Sequence, residues 1–376
     1  MREIRMVDLK TQYENISAEI DAAVLDVIRS TQFINGPAVH GFQKSMEAYL
    51  DVEHVIPCAN GTDALQICMM ALGLEPGDEV ITAAFTYVAT AEVIALLGLK
   101  PVLVDVNPDT FNIDPEAVEA AITSRTKAIV PVHLFGQCAD MERIMEVSRK
   151  YGLYVIEDTA QAIGAKFTFA DGTMQKAGTM GHMGATSFFP SKNLGCYGDG
   201  GAMMTRLIDL DTKARQIANH GQTRLYYHDM VGVNSRLDSI QAAILDIKLR
   251  HLDNYNKSRQ AAANFYDSAF ANHPRITIPA RDTRSTHVFH QYTLKLTDTD
   301  RFGLQAFLKE KGIPAMVYYP VGLHLQKAYK DDRYGEGAFP VTEMLCSQVI
   351  SLPMHSELEN VQLEFITVSV LEYLNK

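Results

Sequence analysis

Apolar residues recur at helical spacing at Ile20, Val24, Val27 and Ile28, and again at Met141, Ile144 and Met145, a pattern that predicts amphipathic helices. Between such segments lie short, continuous apolar runs at residues 80–82, 102–105, 128–132 and 153–156. Strands of that kind alternating with helices predict an α/β fold with a mostly parallel central sheet covered on both faces. From residue 238 the texture changes to a long, charge-rich helical stretch through 270, then a strand-like run at 288–296 and further helices. A boundary is therefore expected near residue 250. It divides a large domain of residues 1–250, with an N-terminal helical segment, from a smaller α+β domain of residues 251–376. No period of about 20 to 50 residues repeats, which sets solenoids and arrays aside.

Length agrees with that division, because 376 residues, 47% of them apolar, approach the limit of a single hydrophobic core. With 45 acidic against 34 basic residues the net charge is -11, which argues against a nucleic-acid partner. A small anionic ligand remains compatible, since a pocket can be locally positive on an acidic protein. The five cysteines, Cys58, Cys68, Cys138, Cys196 and Cys346, form no C-x-x-C pair, and a reducing, cytoplasmic setting is expected. The first ten residues carry charges throughout rather than a secretory apolar stretch. The longest apolar run, residues 80–91, falls short of the roughly 20 residues that span a bilayer, so no membrane partner is expected.

Open α/β sheets bind ligands at the carboxyl ends of their strands, and three segments there carry candidate chemistry. The first, Cys58-Ala59-Asn60-Gly61-Thr62-Asp63, is a small polar turn running into an apolar helix. Free N–H groups and the helix dipole make such a start a phosphate site, although Asn-Gly-Thr is also an ordinary helix cap. The second, Tyr154-Val155-Ile156-Glu157-Asp158-Thr159-Ala160-Gln161, ends a buried strand in carboxylates. Asp158 there could hold a cationic ring nitrogen, or could cap a following helix. The third runs from Ser187 to Gly201, SFFPSKNLGCYGDGG, and sets Lys192 among aromatic, small and glycine residues with no other Lys or Arg between Lys176 and Arg206. Apolar neighbours can desolvate that amine and make it a nucleophile, whereas an ordinary lysine beside a glycine turn is a solvated surface charge.

A phosphate cradle, a strand-end carboxylate and a desolvated lysine are together the parts that hold pyridoxal 5'-phosphate. On these segments, and on residues 7–9, 33–37 and 351–355, the sequence resembles the DegT/DnrJ/StrS family of sugar-nucleotide aminotransferases over nearly its whole length. The resemblance implies a fold-type I, aspartate aminotransferase-like enzyme that cycles between covalently bound pyridoxal phosphate (PLP) and its pyridoxamine form (PMP). Within the family it resembles the WbpE type, which aminates the 3-keto group of a UDP-linked 2-acetamido-hexuronic acid with L-glutamate as donor. Such chemistry serves surface polysaccharide and lipopolysaccharide synthesis.

Carried over residue by residue, the resemblance implies that Lys192 forms the Schiff base and then moves the proton. Asp158 pairs with the pyridinium nitrogen, Gln161 contacts the ring or its hydroxyl, and Tyr87 stacks on it. Gly61, Thr62 and Ser187 bind the phosphate, joined by Asn234 from a partner subunit, and Arg236 meets an anionic substrate group. These shared roles imply a homodimer with active sites at the subunit interface. Tyr87 could equally be a core aromatic, and Arg236 a solvated charge. Where the family commonly has His-Tyr-Pro, this chain has Tyr318-Tyr319-Pro320; both tyrosines, with His324 nearby, are expected to contact substrate.

Three rivals remain at this point. Some relatives are sugar dehydratases with histidine in place of the lysine, which Lys192 opposes. Others are aminotransferases for a 3-keto or 4-keto 6-deoxy sugar linked to dTDP or UDP. A third possibility is a regulatory protein that keeps the fold without turnover. A G-x-x-x-x-G-K-[ST] phosphate loop and an H-E-x-x-H pair are both missing, and no metal is expected.

Overall fold

Every apolar run of the first half becomes a strand of one sheet. A computed structural model describes residues 1–376. The chain opens with helices α1 (Leu9–Ser30) and α2 (Pro37–Leu50). Asp8 caps α1 by accepting from the Thr11 N–H at 3.1 Å, and Pro37 occupies the first helical position of α2. Strands and helices then alternate as β1 (His54–Cys58), α3 (Gly61–Ala71), β2 (Glu79–Ala83), α4 (Ala89–Leu96), β3 (Lys100–Val104) and α5 (Pro115–Ala120). Next come β4 (Thr126–Val130), α6 (Met141–Tyr151) and β5 (Tyr154–Asp158). A hairpin of β6 (Lys166–Thr168) and β7 (Met174–Lys176) precedes β8 (Met183–Ser187), β9 (Gly201–Thr205) and α7 (Ile208–Ala218).

The large sheet has the order β1-β9-β8-β5-β4-β2-β3. Neighbours from β3 to β8 run parallel, and β9 alone opposes the rest, pairing antiparallel with both β8 and β1. Helices cover both faces, which is why β2 and β9 are buried at every position. The four predicted strands lie within two residues of their expected places. The pattern left β1, β8 and β9 unmarked: β8 and β9 are built largely from Gly, Ala, Met and Thr, and Gly184 packs so closely that a Cβ there would sit 2.2 Å from the Gly178 carbonyl oxygen.

After a small hairpin, β10 (Gln222–Arg224) and β11 (Tyr227–His228), the predicted long helix appears as α8 (Ser239–Phe270). The remainder is β12 (Ile276–Thr277), β13 (Tyr292–Leu296), α9 (Arg301–Glu310), α10 (Pro340–Gln348), β14 (Val349–Leu352) and α11 (Asn360–Leu374), with β12, β13 and β14 in one antiparallel sheet. Residue 250 lies inside α8, so no linker separates the two halves at that point. Leu245, Leu249 and Leu252 of this helix pack with Phe42 and Met46, whereas Ala262, Ala263, Tyr266 and Phe270 belong to a separate core with Tyr292, Leu304 and Ile366. Ile4 joins that second core, so the N-terminal segment contributes to the C-terminal packing. The expected strand at 288–296 begins only at Tyr292, because Phe289 takes a left-handed conformation (φ 47°) and turns the chain. No helix is long and apolar enough to cross a membrane.

Candidate active site

A cavity of about 480 Å³ opens at the carboxyl ends of β1, β4, β5 and β8. Its walls include Gly61, Thr62, Tyr87, Asp158, Gln161, Ser187 and Lys192, together with Tyr318 and Tyr319. One corner is the start of α3. Asn60 caps that helix, its Oδ1 accepting from the Asp63 N–H at 2.8 Å, and leaves the Gly61 and Thr62 N–H groups without helical partners. Gly61 is needed for closeness: a Cβ would lie 2.7 Å from that of Ser187. Ser235 fastens the corner to the loop before α8, because its Oγ accepts from Ala59 N–H (3.1 Å) and donates to Asp63 Oδ2 (2.6 Å).

Asp158 ends β5 with its carboxylate oriented from both sides. Thr90 Oγ1 donates to Oδ2 at 2.9 Å and the Ala160 N–H donates to Oδ1 at 3.1 Å. The second bond closes a turn and no helix follows, so the cap alternative gives way to a local turn that fixes the carboxylate. Its neighbour Glu157 faces the opposite side of the sheet. There it pairs with buried His133 at 2.9 Å and accepts the N–H groups of Gly178, Met180 and Gly181. Gln161 is held at both ends of its amide: Oε1 accepts from the Phe135 N–H (2.8 Å) and Nε2 donates to Tyr319 Oη (3.2 Å). Tyr319 in turn lies 6.3 Å, ring to ring, from Tyr87, whose own side is exposed. Burial pushes the phenols of Tyr318 and Tyr319 up, so both remain hydrogen-bond donors at neutral pH.

Lys192 enters from a tight turn in which its N–H donates to the Phe189 carbonyl at 2.8 Å. Burial brings its amine down to about 8, and Asp158 pulls in the opposite direction. His290, which the sequence pattern assigned to a strand, lines the same cavity with a buried Nδ1 that has no partner. Burial, then Lys192 and Arg259, holds that imidazole well below its ordinary value, hence neutral. Thr90, His290, Gln291, Ser191 and Asp199 were missed by sequence reasoning. Thr90 carries no motif, and the left-handed turn at Phe289 that aims His290 inward leaves no periodic trace.

Two groups of expected residues stay outside this cavity. Asn234 and Arg236 line a second cavity of about 470 Å³ that shares only Asp199 with the first. His324, expected to contact substrate, also lies outside this cavity, its side chain buried in a short turn at Leu323–Leu325. The ring pairs with Glu343 of α10 at 3.0 Å and packs edge-on against Phe339, so it faces the protein interior.

The donor set suits a phosphorylated aldehyde with a basic ring. Open N–H groups beside the glycine cradle can take a phosphate, the oriented carboxylate of Asp158 can take a protonated ring nitrogen, and the Lys192 amine can take the carbonyl. Comparison with known proteins agrees. The model of the DegT/DnrJ/EryC1/StrS aminotransferase family matches residues 14–371. Two relatives are each 46% identical. A UDP-2-acetamido-2-deoxy-3-oxo-D-glucuronate aminotransferase of Pseudomonas aeruginosa aligns over 98% of this chain and 99% of its own. A pleiotropic regulatory protein of Geobacillus stearothermophilus aligns over 98% of both. A solved Bacillus subtilis structure with the cofactor PMP bound is 32% identical, covers 100% of this chain and 86% of its own, and superposes with a TM-score of 0.91.

Proposed function

The chain belongs to the DegT/DnrJ/EryC1/StrS aminotransferase family, and from that premise we propose that it transfers the amino group of L-glutamate to the 3-keto group of a UDP-linked 2-acetamido-2-deoxyhexuronic acid. The observation that carries the reaction class is the convergence of Lys192, Asp158 and the Gly61–Thr62 helix start on one cavity. The substrate rests on the 46% identity to the Pseudomonas enzyme.

Pyridoxal phosphate, when bound, supplies a carbonyl that accepts the amino group and a ring that draws electrons from the adjacent carbon. The chain's residues do the rest. Asp158, steadied by Thr90 and Ala160, keeps a proton on the ring nitrogen. Lys192 both anchors the cofactor and shuttles the proton at the donor carbon, a dual role suited to an amine brought down to about 8. Tyr87 would lie against the ring, while Gln161, itself fixed by Phe135 and Tyr319, has a remaining amide N–H that would serve the ring hydroxyl. Tyr318 and Tyr319 offer phenol donors to the sugar. A homodimer would bring Asn234 and Arg236 to a neighbouring subunit's cavity, where the guanidinium suits a uronate carboxylate.

The test follows the visible absorption of the PLP-loaded protein on adding UDP-2-acetamido-3-amino-hexuronic acid, with L-glutamate added separately. Conversion to the pyridoxamine form by both is expected. Conversion by glutamate alone would move the substrate to another amino sugar, such as a 6-deoxy sugar on dTDP. No change with either would overturn the aminotransferase reading and favour a regulatory role.

A further inference from the structure

Behind the turn that carries Lys192 runs a row of polar side chains on α8, and each grips a different point of that turn. Gln241 makes a reciprocal pair with Tyr197: its Oε1 accepts from the Tyr197 N–H at 2.8 Å and its Nε2 donates to the Tyr197 carbonyl at 3.3 Å. Seven residues along, Lys248 is 1% exposed and donates from Nζ to the Gly195 carbonyl at 2.5 Å, with its ammonium 5.2 Å from the Tyr197 ring. Eight residues further, buried Asn256 accepts at 2.7 Å from Asn193 Nδ2, which also donates to the Val288 carbonyl at 2.9 Å. The helix therefore holds residues 197, 195 and 193 in antiparallel order from one side, as spacings of two turns or slightly more allow.

Lys248 is the unusual member. It has no carboxylate partner, and burial, opposed by Cys196 and aided by Arg259, brings its amine down to about 8. A buried polar group of that kind is costly unless a specific bond compensates, so a leucine or methionine would make the more stable helix. We propose that Lys248 is a positioning residue, which with Gln241 and Asn256 forms a three-point clamp on residues 193–197 that fixes where the Lys192 side chain enters the cavity. The clamp rests on the assignment of Lys192 as the cofactor-bearing lysine.

The experiment compares wild-type protein with Lys248→Met and Gln241→Ala, each checked for fold by circular dichroism. Wild-type uptake of pyridoxal phosphate, fixed by borohydride and located at Lys192 by mass spectrometry, first tests the underlying assignment; label elsewhere, or none, sinks that assignment. Given labelling at Lys192, both variants are expected to take up cofactor about 10- to 100-fold more slowly. Amide hydrogen exchange should rise at residues 193–197 in particular, and kcat should fall with the KM for glutamate little changed. A folded Lys248→Met with wild-type uptake and exchange would overturn the clamp, as would general loosening throughout the chain. If Lys248→Met does not fold, the same outcomes are read from Gln241→Ala, whose side chain sits at the more open end of the row.

Discussion

Lys192 is subject to two opposed influences, and their balance sets its chemistry. Burial favours the neutral amine and Asp158 favours the charged one, with burial the larger, so the group sits at about 8. At pH 7 roughly a tenth of such amines are neutral, against well under a thousandth at the ordinary lysine value. Only the neutral amine attacks a carbonyl. Uptake of pyridoxal phosphate by cofactor-free protein is therefore expected to rise with pH through about 8 and level off above it. Asp158→Asn removes the group that raises the amine, so the rise should move to lower pH, while cofactor affinity drops about tenfold through loss of a charge-assisted hydrogen bond. Stopped-flow absorbance between pH 6 and 10 reads both effects, and an unmoved profile in Asp158→Asn would break the link between the two residues. The sequence exposed this pair only in combination, because a lone lysine among Gly, Ser and aromatic residues, a carboxylate ending a buried strand and the polar turn at residues 58–63 together fit one cofactor. It concealed Thr90, which orients Asp158 from 68 positions away, since a threonine near a helix start has no distinguishing neighbours.

Among elements, what was legible followed from how much apolar surface each one buries. Strands β2, β4 and β5 lie inside the sheet and read as apolar runs, as does the buried half of the edge strand β3, while β8 and β9 are made of small residues because other backbone passes against them. Under the proposed function, that crowding serves cofactor binding at the start of α3. There the same closeness that makes Gly61 abut Ser187 leaves two helix N–H groups open to the cavity. Gly61→Ala would set a methyl 2.7 Å from Ser187 Cβ and 3.2 Å from its Cα, and backbone at the end of β8 would have to yield. Overpacking of this kind costs about 1–3 kcal/mol. Since the displaced backbone belongs to the phosphate corner, the expected result is a folded protein with pyridoxal-phosphate affinity lowered about tenfold or more, measured by fluorescence titration. Wild-type affinity in the Gly61→Ala protein would separate the cradle from cofactor binding.

For the whole molecule the instructive residues are those the single chain does not bring to its own cavity. Asn234 and Arg236 line a separate, open chamber whose rim includes exposed Ile34, and Phe33, Tyr226 and Val231 are further large apolar side chains left at the surface. The family resemblance named these residues and implied that Asn234 reaches a partner subunit's site; spacing alone could do neither, because such a role depends on an interface between copies. If they act on a neighbour's cavity, Lys192→Ala and Asn234→Ala/Arg236→Ala proteins damage opposite contributions to one site. Each should be nearly inactive alone. After subunit exchange, half of the dimers pair one of each, and one of the two sites in such a dimer is intact, so mixing should restore about a quarter of wild-type activity. Recovery to that level fixes the working unit as a homodimer with shared sites. Absence of recovery, with exchange verified by mass spectrometry of differently tagged subunits, would mean that each chain completes its own site and that Arg236 meets no substrate across the interface.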